Sequence, residues 1–243
     1  MQPAISNIWV YLSASPLLWL TATLWAYCGA HWLHERSGRN PLVNSVTIAV
    51  IALIVVLQAT GTPYETYFQG AQFVHFLLGP ATVALAVPLY NNLSTVRRLL
   101  VPTIFALVAG SLTAIVSAVG IAWAAGADAI TLKSLAAKSV TTPIAMAVSE
   151  KLGGLPAVTA ILVICTGIFG AVVARFVFGL MRINSSEVQG FALGVASHGI
   201  GTARAYEVNQ EMGAFAGLGM GLNGILTAVL APWLIPVIFR LLA

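Results

Sequence analysis

Two short stretches combine cationic side chains, hydroxyls and helix breakers inside an otherwise apolar chain: Lys138-Ser139-Val-Thr141-Thr142-Pro143 and Ser197-His198-Gly199-Ile-Gly201-Thr202-Ala-Arg204. Thr142 followed by Pro143 reads as a helix start, because threonine caps well and proline fits the first turn, where no amide donor is needed. In the second stretch Gly199 and Gly201 permit an unwound backbone, Thr202 can cap, and Arg204 falls in the first turn of the new half-helix. Each start exposes free amides and the positive end of a helix dipole. With Lys138, His198 and Arg204 beside such amides, the expected chemistry is the binding of a small organic anion, a carboxylate held bidentately by Arg204. The plainer readings are a snorkelling Lys138, an Arg204 paired to Glu207 one turn on, a His198 bonded to a carbonyl, and threonines that only cap. A third break, Gly79-Pro80-Ala-Thr82, reads chiefly as a proline kink, with Thr82 as a further candidate for the site.

The elements that must carry these residues follow from composition. Of 243 residues, 59% are hydrophobic and 7% charged, with mean hydropathy +0.93, against roughly 25% charged in soluble domains. The expected class is an all-α integral membrane protein: a polytopic helical bundle in the lipid bilayer, one transmembrane domain over residues 1–243. It divides into N-terminal helices (1–72), a kinked helix and span (73–130) and two units (131–186 and 187–243). Apolar windows predict about six full spans, Trp9 to Ala30, Pro41 to Thr60, Phe73 to Tyr90, Val101 to Ala125, Ala157 to Met181 and Phe215 to Leu242. Two half-apolar stretches, Thr131 to Leu152 and Glu187 to Met212, are expected to be interrupted or re-entrant. The first 30 residues hold no Lys or Arg, so the first apolar run is expected to stay as a helix rather than leave as a signal peptide. Arg36, Arg39, Arg97 and Arg98 mark cytoplasmic loops, and Gly61 to Gly70 an outer one. Trp9, Trp19, Trp25, Trp32, Tyr64, Tyr67, Tyr90 and Trp233 read as interface anchors.

Net charge is +4, but the basic residues are scattered, which excludes a nucleic-acid stripe. Cys28 and Cys165 read as small buried hydrophobes. No hydrolase, metalloprotease or P-loop motif occurs and Asp128 is the sole aspartate, so neither an enzyme nor a cofactor or metal site is expected. An offset of 60 sets Lys138 against His198 and Thr142 against Thr202. Each half then reads as an interrupted segment followed by a full span, an internal repeat of the kind transporters use around a binding site.

At these residues the sequence resembles the LrgB family of bacterial membrane proteins, also called antiholin-like. The resemblance rests on Phe76-Leu-Leu-Gly-Pro-Ala-Thr-Val-Ala-Leu-Ala-Val-Pro-Leu-Tyr90, Lys138-Ser-Val-Thr-Thr-Pro-Ile-Ala145 and Ser197-His-Gly-Ile-Gly-Thr-Ala-Arg-Ala205. It covers the chain from about Pro41 onward, and Ala137 stands where the family carries proline. The resemblance implies a bacterial inner-membrane protein and two possible activities. One is modulation of murein hydrolase activity and lysis with a small holin-like LrgA or CidA partner. The other is passage of small monocarboxylates such as glycolate, glycerate or pyruvate, as for the related plastidial glycolate/glycerate translocator. The anion chemistry read from the residues favours transport, as a homo-oligomer.

Overall fold

The computed structural model describes residues 15–38, 43–77, 80, 83–84 and 86–242, and those residues form helices and turns without a strand. Two compact units divide at residues 84 and 85. The first holds α1 (Pro16–Arg36), α2 (Ser45–Thr60) and α3 (Tyr64–Phe76). Pro16 sits in the first turn of α1. Asn44 caps α2, its side chain accepting from the Thr47 amide, and Gly61 ends that helix in the left-handed region at φ 64°.

The stretch from Gly61 to Gly70, expected as an outer loop, is helical from Tyr64 onward. The reason is packing on α1: a Cβ on Gly70 would collide with the Pro16 carbonyl, Trp19 stacks edge-on against Tyr67 with centroids 5.9 Å apart, and Thr23 Oγ1 donates to Tyr67 Oη at 3.1 Å. Trp19 is therefore a core residue, 1% exposed, and not the interface anchor its type suggested. The expected span from Phe73 to Tyr90 is not one helix either, since α3 ends at Phe76 and the next helix begins at Ala86. Of its break, Pro80 is exposed in helical backbone, while Gly79 and Thr82 lie outside the described residues.

The second unit holds α4 (Ala86–Asn91), α5 (Leu93–Arg98), α6 (Leu100–Ala124), α7 (Ala129–Leu135), α8 (Thr142–Leu152), α9 (Pro156–Leu180), α10 (Ser186–Val208) and α11 (Gln210–Leu242). Among the described residues α6, α9 and α11 are long and apolar enough to cross a membrane. Their exposed faces carry Phe105, Ile121, Phe169, Ile225 and Trp233, the pattern of helices solvated by lipid rather than water. Cys28 and Cys165 are also exposed, contrary to the buried reading, because each lies on the outward face of an apolar helix.

The two half-apolar stretches are both helical hairpins. In the first, Asp128 caps α7 by accepting from the Thr131 amide at 2.9 Å; the chain turns through residues 136–141 and returns as α8. Ser134 of the outgoing arm meets the far end of the returning one: its hydroxyl accepts from the Leu155 amide at 2.8 Å, and Thr159 Oγ1 donates to its carbonyl at 2.9 Å and reaches Ser149 Oγ at 2.7 Å. In the second, His198 takes φ 42° and ψ −130° inside α10 and reverses the chain. The return is read from contacts: Gly201 lies against the Leu193 carbonyl and Ala205 packs with Leu193 and Met212, although 12 residues of straight helix would separate Leu193 from Ala205 by about 18 Å. Next, α11 runs parallel to the outgoing arm, with Gly190 against the Met212 carbonyl and Gly194 against that of Ala216.

The breaks differ in detail from the expectation. In the first hairpin Thr141, not Thr142, is the N-cap, with Thr142 and Pro143 in the first turn and no side-chain cap bond from Thr141. In the second the backbone departs from helix at His198, while Gly199 and Gly201 are helical. The core joining these parts is Ile115 and Val119 of α6, Ala137 and Val140 of the first tip, Val163 of α9 and Ile235 of α11.

Candidate functional site

Both hairpin tips are held by Asn223, which is 1% exposed in α11. Its amide nitrogen donates to the Ser139 carbonyl at 3.2 Å and the Val195 carbonyl at 3.0 Å, while its oxygen accepts from Ser111 Oγ of α6 at 2.5 Å and from Thr227 Oγ1 at 3.3 Å. One side chain thus satisfies carbonyls freed where the first hairpin breaks and where the second approaches its turn, a requirement wherever backbone departs from helix away from water. The second tip also leans on α9. His198 Nε2 donates to the Val163 carbonyl at 3.0 Å, and the space for its ring exists because residue 167 is glycine, where a Cβ would come within 2.7 Å of His198 Cε1. Gly170 likewise admits Ser197. Thr202 Oγ1 donates to the His198 carbonyl at 2.8 Å, closing the first turn of the return arm. These bonds hold a histidine in a backbone region that non-glycine residues rarely adopt.

Against the tips lies a cavity of about 530 Å³ bounded by α6, the first tip, α9 and the outgoing arm of α10. Its walls are mainly apolar, including Ala106, Phe169, Phe191 and Val195; at the tip level it is lined by Lys138, Ser139 and Ser197. Lys138 is half-buried, with Nζ 3.5 Å from Ser139 Oγ and no carboxylate partner among the described residues. The Ser197 hydroxyl is fully buried and makes no hydrogen bond. An ammonium and an unsatisfied hydroxyl at the tip end of the cavity favour a small anion there; the one carboxylate in the lining, Glu187, stands at the start of α10, about 15 Å along the arm from Ser197.

Of the residues singled out in the sequence, Lys138 and Ser139 line this cavity. His198 and Thr202 are buried behind it as the structure of the second tip, and Thr141, Thr142 and Pro143 start α8. Gly199 and Gly201 lie on the return arm, Gly201 against Leu193. Arg204 is not brought to Lys138: it pairs with Glu207 at 2.7 Å and lines a different cavity. One of its guanidinium nitrogens thus meets an intrahelical carboxylate, the plainer of the two readings of this residue.

Sequence reasoning missed Asn223, Ser111 and Arg175, and it marked Ser197 only as part of the second stretch, not as a residue of the site. Asn223 and Arg175 carried a signal, each being a strongly polar residue within a long apolar helix, where such groups are costly unless partnered. Ser111 carried none, since serine is common on helix interfaces.

The LrgB-like family matches residues 23–237 of this chain. A relative in Bacillus subtilis (strain 168), "Uncharacterized protein YwbG", is 38% identical over 219 residues, covering 89% of this chain and 96% of its own length. "Holin-like protein CidB" of Staphylococcus epidermidis is 33% identical over 225 residues, covering 93% and 97%. "Antiholin-like protein LrgB" of Bacillus mycoides is 29% identical over 224 residues, covering 92% and 97%. No solved structure matches significantly. Long apolar helices and matches spanning nearly the full length of holin-like and antiholin-like proteins make this a membrane protein, and the chain belongs to the LrgB-like family.

Proposed function

We propose that the chain is an antiholin-like regulator of murein hydrolase activity and cell lysis, a multi-pass protein of the bacterial inner membrane acting with a small holin-like partner of the LrgA or CidA kind. The observation that carries this reading is the near full-length match to relatives named holin-like and antiholin-like. The test is deletion of the gene in its own host, with zymography of secreted murein hydrolases and detergent-induced autolysis as readouts. A changed autolysis rate, restored by the wild-type gene only when the small partner is also present, is the expected result. Unchanged hydrolase activity and autolysis would overturn it.

A second reading, passage of a small monocarboxylate, is supported by one specific observation. Lys138, without a carboxylate partner among the described residues, and Ser197, with an unsatisfied buried hydroxyl, line one apolar cavity at the hairpin tips. In this reading Lys138 holds the carboxylate and Ser139 and Ser197 donate to it, while His198 and Thr202 hold the tip in shape. Uptake of labelled glycolate and pyruvate into proteoliposomes tests it. The expected result is saturable uptake lost in Lys138→Gln and weakened about tenfold in Ser197→Ala, the loss of one hydrogen bond to a charged group. Absence of uptake by folded protein, with and without a pH gradient, sinks this second reading and leaves the first standing.

A further inference from the structure

Away from the hairpin tips, a second cavity of about 450 Å³ lies between the C-terminal half of α9, both arms of α10 and the start of α11, beside the turn that joins α9 to α10. Phe178, Leu193 and Met212 supply apolar wall, while Arg175, Arg204 and Asn184 supply donors. Arg175 is the one charged residue in α9 and has no carboxylate within ion-pair distance among the described residues. Its presence in an apolar helix is costly unless an anion or water takes the charge. Arg204, with a side chain 15% exposed, gives Nη1 to Glu207 at 2.7 Å, which engages one of its five donors. Two guanidinium groups against one carboxylate leave the cavity with a surplus positive charge. The adjoining turn carries Arg182, Asn184 and Ser185, polar residues that set this end of α9 at the boundary between lipid and water, and Arg175 is exposed about two helical turns before Arg182.

We propose that Arg175 and Arg204 form a headgroup site that binds the phosphate of an anionic phospholipid, with the apolar walls taking the chain next to it. Planar guanidinium forks match phosphate oxygens in pairs, and basic pockets between membrane helices at headgroup depth are suited to anionic lipids. A lipid is favoured over a free anion because the cavity joins a lipid-facing helix and most of the residues that line it are apolar. The site is independent of the hairpin-tip cavity and of either functional reading.

The test uses the purified full chain in neutral detergent, with thermal stability and native mass spectrometry as readouts on addition of short-chain phosphatidylglycerol, short-chain phosphatidylcholine or inorganic phosphate. The expected result is a raised Tm and retained lipid with phosphatidylglycerol alone. Affinity should fall about tenfold in Arg175→Gln and in Arg204→Gln, the loss of one charge-assisted contact, and stay unchanged in Lys151→Gln. Glu207→Gln, which releases Arg204, should strengthen binding; it keeps the proposal testable if an arginine variant fails to fold. Equal responses to the two lipids, or phosphatidylglycerol binding undiminished in both arginine variants, would overturn the site. A response to inorganic phosphate with none to phosphatidylglycerol would overturn the lipid as its occupant.

Discussion

Asn223 shows how much of the tip geometry one residue can hold. Its four hydrogen bonds reach α6, the first tip, the outgoing arm of α10 and its own helix, and each partner but Thr227 lies far away in sequence. Substitution by leucine, close in size but without polar atoms, leaves the Ser139 and Val195 carbonyls and the Ser111 hydroxyl without this partner. The expected cost is about 1–3 kcal/mol of stability, the penalty for buried polar groups left unsatisfied, read by denaturation of the purified protein in detergent. Asn223→Asp should also destabilise, because a carboxyl group offers the two carbonyls at most one donor, and that only when protonated. A loss of less than half a kcal/mol in both variants, about what a surface change costs, would show that water replaces the amide.

At the scale of elements, the close approach of α11 to the outgoing arm of α10 depends on glycine at particular positions. Gly190 and Gly194 face backbone carbonyls of α11 with no room for a methyl group, whereas Gly221 of α11 has nothing within 4 Å. Gly194→Ala should therefore destabilise by about 1–3 kcal/mol through overpacking, and Gly221→Ala should be neutral or stabilising by up to about 1 kcal/mol, as alanine replaces glycine in an open helical position. Thermal unfolding of the two variants side by side checks both signs. The same contrast explains what the sequence yields about packing. The small-residue face of α11 is visible as a cluster of glycines, but Gly219 touches the Phe191 carbonyl, Gly224 touches Ile144 and Gly221 touches neither. Composition cannot separate these cases, because the difference lies in which neighbour arrives.

For the whole molecule, the exposed apolar faces of α6, α9 and α11 give an expectation that needs no ligand. Cys165 lies near the middle of α9 and is exposed, so in intact membrane vesicles it should face hydrocarbon and resist a water-soluble maleimide, then label fully once the protein is denatured in SDS. Full labelling in native vesicles would place that face of α9 against water and contradict a lipid-facing surface. The two compact units each have an interior of their own, with Trp19, Gly70 and Ala71 packed in the first and the tip-centred core in the second.

The sequence by itself determined the membrane class and the two stretches in which the breaks fall, though not the residues at which the helix ends. Both are local properties: apolarity sums along a window, and Lys138 to Pro143 and His198 to Gly201 announce helix disruption through their own residue types. It also located two of the cations that an apolar chain has to explain, Lys138 and Arg204, while Arg175 of α9 went unremarked. Tertiary structure decided which of these groups meet. The reversal at His198 carries Arg204 back along α10 toward Gln189 and Arg175, away from Lys138, and Asn223 reaches the first tip only because α11 runs parallel to the arm that precedes it. A hairpin and a kinked helix share one hydrophobic pattern, so the direction in which the chain leaves a break is set by which faces pack, here by the room that Gly167 and Gly170 leave for the second tip.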